Sequence, residues 1–363
     1  STAAAYGLGV ETDGFLDVQG WSPTLQNCVI TAISTSTANS YIHLKDGSET
    51  LIKNADISYM GANVVNKYGI TVVDIDSNVA NEGLVITGSA IHNGYYGIVF
   101  QGQQSPEISS DYNVIDNNTI YSNSVDGINL NSTNKYNIIS RNVVYSNTGD
   151  GIEFNGGSLT GTTIIANVVG SNANGIVIGS APANYIYNNT VYNSTSYGIH
   201  VFNSADNNLI KNNLVTNTGT RGIYVQLGGG TVINNNYYFS NVTADCTGDG
   251  CAAETPASGS GGNPNYVSTT GGNADFLYLS SDSAALGPGL DIFASTTPGT
   301  VNVGGRLDYV KNTTDNKEFN WLQQAHDSAA TTAGDTITAY ATDVVSSTLA
   351  SSTQAKGSIG TAY

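Results

Sequence analysis

A nine-residue phrase recurs along the middle of this chain, and its period dictates what the chain can become. Ile115 to Asn123 reads Ile-Asp-Asn-Asn-Thr-Ile-Tyr-Ser-Asn and is followed by Gly127-Ile128. The phrase returns as Ile139 to Asn147 with Gly151-Ile152, and as Ile164 to Asn172 with Gly175-Ile176. Shorter copies carry Asn189, Val191 and Asn193 before Gly198-Ile199, and Asn213, Val215 and Asn217 before Gly222-Ile223. A partial copy carries Asn236 and Asn241. The first Asn falls at Asn118, Asn142, Asn167, Asn189, Asn213 and Asn236, in steps of 22 to 25 residues. The glycine falls at Gly127, Gly151, Gly175, Gly198 and Gly222, in steps of 23 or 24. Two columns sharing one period define a structural repeat, not a bias in composition.

Within each unit the residues alternate, with Asn118 and Ile120 facing in and Thr119 and Tyr121 facing out, which is the period of a strand. Gly127-Ile128-Asn129-Leu130 and Gly222-Ile223-Tyr224-Val225 open a second strand. No amphipathic helical stretch intervenes. Short strands and turns in about two dozen residues make one coil of a β-solenoid, whose coils stack ~4.8 Å apart with like residue over like. An inward Asn can then hydrogen-bond the Asn above and below, so a continuous ladder satisfies buried amides. A second ladder is expected at Asn123, Asn147, Asn172, Asn193, Asn217 and Asn241, and the glycines permit a turn or a close approach between coils. Extended backwards, the first-Asn position is held by Cys28, Ala55 and Gly88, which makes Cys28 a buried interior thiol. The longer steps there imply loops, at Gly61 to Lys67 and at Gln101 to Asp111.

Composition agrees with a β-rich chain: 42 Gly, 22 Tyr and only 11% charged residues in 363. A net charge of −17 repels phosphate backbones and excludes nucleic acid as a partner, while cations such as Ca²⁺ suit it. No apolar run is long enough to span a membrane. The sequence opens at Ser1 without a Met, as expected of a processed product or of a fragment cut from a longer chain. Cys246 and Cys251 bracket Thr-Gly-Asp-Gly, a spacing that a disulfide closes, and this favours a secreted or cell-surface location. Sequons at Asn117, Asn131, Asn188 and Asn312 are candidate glycosylation sites.

With these columns in view, the chain resembles the right-handed parallel β-helix proteins over roughly residues 15 to 245. That group includes periplasmic copper-site maturation proteins, pectate lyases and many surface proteins. The resemblance implies an all-β fold of about nine to eleven coils with Asn ladders, and it leaves function open because the scaffold hosts many activities. We divide the chain into a parallel β-helix over 1–250, a linker and closing segment over 251–300, and a cap or docking segment over 301–363. The run from Asn263-Pro264-Asn265-Tyr266 to Ser283-Ala284-Ala285 looks like the closing segment of such helices, with Ala284 and Gly287 where Pro and Asp are usual. Asp315 with Glu318 can form a capping box, so a short helix is expected over 315–330. Trp321-Leu322 with Gly334-Asp335-Thr336-Ile337 resembles the entrance of a β-helix, here placed near the exit. Such a segment can fold back on its own first coils, cap a small separate domain, or dock on the next subunit in a head-to-tail array.

Candidate chemistry is sparse. The arginines are Arg141, Arg221 and Arg306, and none lies in a motif of pectate lyases or polygalacturonases. Asp126 stacks under Asp150 before the glycine column, with Asn129 and Glu153 nearby, and two such carboxylates can share a proton or hold Ca²⁺. Asp74, Asp76 and Asn78 have the alternating oxygen spacing of a calcium loop. His200 shares the outward column of Glu153 and Tyr224 and reads as a lone surface histidine. Tyr121, Tyr145, Tyr192 and Phe239 form an interrupted outward stripe suited to sugar rings or a protein partner. The leading expectation is an extracellular structural protein, a self-associating subunit of a filament, sheath or surface layer that needs no cofactor, with assembly through Trp321, Leu322, Asp335 and Ile337. The alternative is a polysaccharide-active enzyme or a carbohydrate-binding adhesin.

Overall fold

The computed structural model describes residues 7–10, 15–19, 28–32, 40–45, 49–73, 84–101, 103–104, 107–108, 110–131, 133–156, 159–257, 259–273, 276–280 and 282–285. It also describes the short strands at 289–290, 298–301, 310–312, 317–319, 336–339 and 358–360. Each coil of the repeat lays down three short strands, for example Ile138–Ser140, Val143–Tyr145 and Ile152–Asn155. Their copies pair in parallel to give three long sheets, here I, II and III in chain order, of nine, nine and ten strands among the described residues. The molecule is a parallel β-helix.

Registers follow the repeat. Ile120 pairs with Val144, Val144 with Val169 and Val169 with Val191, so like side chains pile up along the axis. The core is a continuous apolar column that includes Ile115, Ile120, Ile128, Ile139, Ile152 and Ile164, all essentially inaccessible to water. Every inward position of a buried parallel sheet sees apolar neighbours above, below and across, which is why β-branched residues dominate.

The bends between sheets I and II carry the first Asn ladder. Asn118 Nδ2 donates to Asn142 Oδ1 at 3.0 Å, Asn142 to Asn167 at 3.0 Å, Asn167 to Asn189 at 3.0 Å, Asn189 to Asn213 at 3.0 Å and Asn213 to Asn236 at 3.0 Å. Each also donates to a carbonyl of the preceding coil, as Asn142 does to Ile115 at 2.9 Å. The residue before each ladder Asn is left-handed, with φ of 53 to 58° at Asn117, Arg141, Ala166, Asn188, Asn212 and Asn235. That conformation turns the chain within one residue.

The second ladder departs from the sequence expectation. Asn123, Asn147 and Asn172 stack as expected, at 2.9 and 3.1 Å, but Ser194, whose hydroxyl finds no partner among the described residues, breaks the ladder in the next coil, and it resumes with Thr218 bonded to Asn241. Asn193 and Asn217 are instead left-handed bend residues, in one column with Ser122, Ser146 and Ser171. Asn serves both an amide ladder and a left-handed bend, so its identity alone did not tell the two columns apart. Likewise Ser89, not Gly88, holds the ladder position: Ala55 N donates to Ser89 Oγ and Ser89 N to Asn118 Oδ1. Cys28 pairs with Ala55 as expected but is only half-buried and unpaired with another cysteine. A third ladder was not foreseen at all. Asn113, Asn137, Thr162, Asn184 and Asn208 link successive coils ahead of sheet I.

The glycine column is set by close approach and not by a turn. A Cβ on Gly151 would lie 2.3 Å from Val169 Cγ1 and 2.7 Å from the Gly175 carbonyl oxygen, and Gly127, Gly175 and Gly198 are as tightly confined.

The carboxyl-terminal end of the helix closes itself. Glu254 takes the place of the next ladder Asn, accepting from Asn236 Nδ2 at 2.9 Å and from Tyr238 Oη at 2.7 Å. The Cys246–Cys251 disulfide, with 5.6 Å between Cα atoms, ties the last sheet III strand to the 3-10 turn Cys251–Ala253 that carries Glu254. Further along, Lys317–Phe319 is a strand paired antiparallel with Val310–Asn312, so Glu318 does not open a helix. Thr336–Ala339, which contains Ile337, pairs with Val310–Asn312 and with Ser358–Gly360 in a four-stranded sheet of this chain's own residues. Trp321, Leu322 and Asp335 lie outside the described residues, as do Arg306, Asp74, Asp76 and Asn78.

Candidate functional site on sheet III

Two outward columns run up sheet III. One comprises the residues just before the glycines: Tyr68, Tyr96, Asp126, Asp150, Asn174, Tyr197 and Arg221, each placed by a backbone bond such as Gly127 N to Asp150 O and Gly151 N to Asn174 O. The other is the second residue after each glycine: Val99, Asn129, Glu153, Val177, His200 and Tyr224, which pair directly coil to coil. Where the columns meet, Asp126, Asp150 and Glu153 bring one carboxylate oxygen each within 4.8 Å of the others. Asp126 is buried, whereas Asp150 and Glu153 reach the surface.

Polar neighbours fix the three. Asn129 Nδ2 donates to Asp126 Oδ2 at 2.7 Å and to Glu153 Oε2 at 2.6 Å. The Asp150 backbone N donates to Asp126 Oδ1 at 2.7 Å, and Asn174 donates to Asp150 through its side chain at 2.8 Å and its backbone at 3.1 Å. Burial, and next the charge of Asp126, push the Glu153 carboxyl up to about 8. Burial pushes Asp150 up to about 6 against the opposing hydrogen bond from Asn174. At neutral pH the centre therefore holds a proton on Glu153 beside an ionised Asp150. Two carboxyl groups with separated protonation states are the raw material of general acid and base chemistry, and three converging oxygens can also receive a hard cation such as Ca²⁺.

Aromatic rings flank this centre along the axis. On one side Tyr68, Tyr95 and Tyr96 cluster with centroids 5.3 to 6.3 Å apart. Burial, and then Asp126, raise the Tyr96 hydroxyl far above the ordinary phenol range, so it stays a neutral donor. On the other side His200 stacks on Tyr224 at 5.2 Å and packs against Tyr197 and Phe202 at 4.5 and 4.9 Å. His200 is therefore not a lone surface histidine. Burial, and then the Arg221 cation, lower it to about 4, and it remains uncharged. Tyr96, Asn174, Tyr197 and Arg221 went unnoticed as a group, although each stands immediately before a glycine of one column that extends back to Gly97 and Gly69.

The other stripe has a different fate. Tyr121 and Tyr145 do stack, at 5.1 Å and nearly parallel, and His92 continues the stack at 4.6 Å. Yet the chain's own closing segment lies on it. Phe276 and Leu277 are buried with Tyr145 and Val168, Tyr266 meets Tyr192 edge-on at 5.6 Å, and Tyr266 Oη lies 3.0 Å from Thr216 Oγ1. Gly170 interrupts the stripe because a Cβ there would lie 2.7 Å from the Phe276 ring. Tyr145 is thus a seat for the closing segment and not a free recognition surface. Tyr192 and Phe239 line a groove of about 450 Å³ under that segment. Among the sequons, Asn188 is fully buried and bonded to Asn212, which removes it as a glycan acceptor, while Asn117 and Asn131 are half-exposed. Asn312 ends the strand Val310–Asn312.

Residues 107–258 match the family described as the right handed beta helix region. No curated protein sequence matches the chain. Among solved structures, two point mutants of the periplasmic alginate epimerase AlgG are similar. One has 21% identity and a TM-score of 0.50 over 67% of this chain, the other 17% and 0.51 over 68%. Pectate lyase Pel9A is similar at 14% identity with a TM-score of 0.50, over 82% of this chain and 87% of the lyase. The chain spans 58% of the first epimerase structure and 68% of the other. At these identities the likeness is one of fold. No helix among the described residues is long and apolar enough to cross a membrane.

Proposed function

For a parallel β-helix whose residues 107–258 match the right-handed β-helix family, we propose that sheet III is a polysaccharide platform and that Glu153, with Asp150 and Asp126, performs acid–base chemistry on the bound glycan. One observation carries this reading: Asp126, Asp150 and Glu153 bring one carboxylate oxygen each within 4.8 Å of the others, in a setting whose burial raises Glu153 above Asp150. Coils advance ~4.8 Å each, close to the length of one sugar ring along a glycan, so successive coils can meet successive units. The rings of Tyr96 and Tyr197 stand on either side of the centre, and aromatic faces pack against sugar rings. Glu153 would give its proton to the glycosidic oxygen as its bond to carbon breaks, while Asp150 takes a proton either from the attacking water or, in an elimination that leaves a C=C bond, from the carbon beside a sugar carboxylate. Asp126, buried one coil before them, keeps the Glu153 proton in place by its charge.

Polysaccharide-active proteins such as the epimerase and the lyase use this fold, which supports the reading without fixing the reaction. The disulfide favours work outside the cytoplasm. A filament role draws less support. The closing segment and Glu254 finish the helix from within the chain, and Ile337 belongs to a sheet formed by this chain's own strands. Ca²⁺ remains a proposed alternative occupant of the carboxylate centre in place of the proton.

The test is release of reducing or unsaturated ends, or a change in uronate configuration, from a panel of neutral and acidic polysaccharides, with and without added Ca²⁺. Wild type should act on at least one member and Glu153→Gln on none. Absence of both binding and turnover across the panel would overturn the proposal.

A further inference from the structure

We propose that Arg221, laid over the ring of Tyr224, recognises a carboxylate or sulfate carried by the glycan, so that the substrate is an anionic polysaccharide. This rests on the reading of sheet III as a glycan platform. The two described arginines make the argument by contrast. Arg141 is satisfied inside the molecule: its Nε and Nη2 donate to the two oxygens of Asp116 at 2.8 and 2.6 Å, a bidentate pair. Arg221 has no acidic partner among the described residues. Its guanidinium carbon sits 4.6 Å from the Tyr224 ring centroid, and its buried Nε finds no acceptor. The chain carries 28 acidic residues against 11 Lys and Arg, so a partner was easily available to it. Evolution of a purely structural arginine would place an acid beside it, as at Arg141.

Position gives the unpaired cation its use. Arg221 stands three coils from Asp150 in the same column, through Asn174 and Tyr197, or ~14 Å at ~4.8 Å per coil. An acidic glycan lying along this column would be repelled by Asp126 and Asp150, but that repulsion is screened beyond ~8 Å at physiological salt. The guanidinium therefore supplies the attractive end of the platform, about three sugar units from the reacting bond. Tyr224 and His200, stacked at 5.2 Å, hold the guanidinium plane and offer it a flat, half-buried seat. His200 Nε2 is buried and also lacks a partner, leaving a further polar group for a sugar hydroxyl. A planar fork of N–H donors is matched by the two oxygens of a carboxylate or sulfate and by no group of a neutral sugar.

Titration calorimetry with three short oligomers tests this: galacturonate, sulfated glucan and unsubstituted glucan. Wild type should bind at least one charged oligomer about tenfold more tightly than the neutral one, and R221Q should abolish that preference. R221K should keep part of it, because it retains charge without the fork. Preference for galacturonate assigns the carboxylate, and preference for sulfated glucan assigns the sulfate. If R221Q melts early, R221K carries the test, and a preference equal to wild type there counts against the fork. If glucan binds as tightly as the charged oligomers, or R221Q leaves the preference intact, Arg221 loses its role while the platform stands. If none of the three binds, the platform falls and this assignment with it.

Discussion

Sheets II and III leave the same repeat with the same bends and ladders, yet their outer faces have opposite fates. On sheet II the outward stack of Tyr121 and Tyr145 is roofed by Phe276 and Leu277, and His92 at its end meets Asp56 through Nε2 at 3.0 Å while its buried Nδ1 has no partner among the described residues. On sheet III the outward columns hold Asp150, Glu153 and His200, whose protonation states are displaced, and Arg221, whose buried Nε likewise lacks a partner. Aromatic content does not separate the two. What separates them is that the closing segment docks on sheet II, whereas sheet III gathers three carboxylates within 4.8 Å of one another. A face that serves stability is covered by the chain, and a face that serves a ligand keeps displaced ionisable groups within its reach.

The comparison can be broken most sharply at Glu153. Glu153→Gln should lower turnover of a responsive glycan by about 10² to 10⁴, the usual contribution of a positioned proton donor, while glycan binding persists. Steady-state kinetics beside calorimetry read this. Next in size, Phe276→Ala removes a fully buried ring and should cost about 3 kcal/mol in thermal or denaturant unfolding. It should leave glycan affinity on sheet III unchanged. An equal loss of binding and stability would mean that the two faces are coupled.

Reducing Cys246–Cys251, or replacing both by Ser, should cost about 2 kcal/mol for so short a loop and loosen the Glu254 cap before the centre of the helix. Hydrogen exchange at Asn236 and Tyr238 reports this. The smallest expected effect is on the pH dependence of stability. Folding raises Glu153 from 4.5 to about 8 and Asp150 from 3.8 to about 6, so the folded chain holds these protons more tightly than the unfolded one. Their contribution is fully present below the unfolded values and is lost as pH rises through about 6 and then about 8. Melting temperature should fall over that window, and Glu153→Gln should flatten its upper part.

Much of the helix could be read from residue spacing because each coil contacts chiefly its two neighbours. A stacking rule that is local in coil number prints itself on the chain as a period. Asn118 to Asn236 and Gly127 to Gly222 show that print plainly. Asn193 and Asn217 misled because one residue type meets two demands, a left-handed bend and an amide ladder. The ladder through Asn113, Asn137, Thr162, Asn184 and Asn208 was present at the same spacing and was overlooked. The candidate site was half visible. Asp126, Asp150, Asn129 and Glu153 could be stacked on paper, but the flanking column from Tyr96 to Arg221 has no shared residue type, only a shared place before glycine.

Sequence by itself determined the coil, the ladders, the cramped glycines and the vertical stacking of two carboxylates, because these depend on residues one period apart. Only the tertiary structure decided which aromatic face stays open, how far Glu153 and Asp150 are pushed from their ordinary protonation, and which arginine goes unpaired. Those outcomes depend on a non-repeating segment docking on one sheet and on how deeply each group is withdrawn from water. Neither has a period to read.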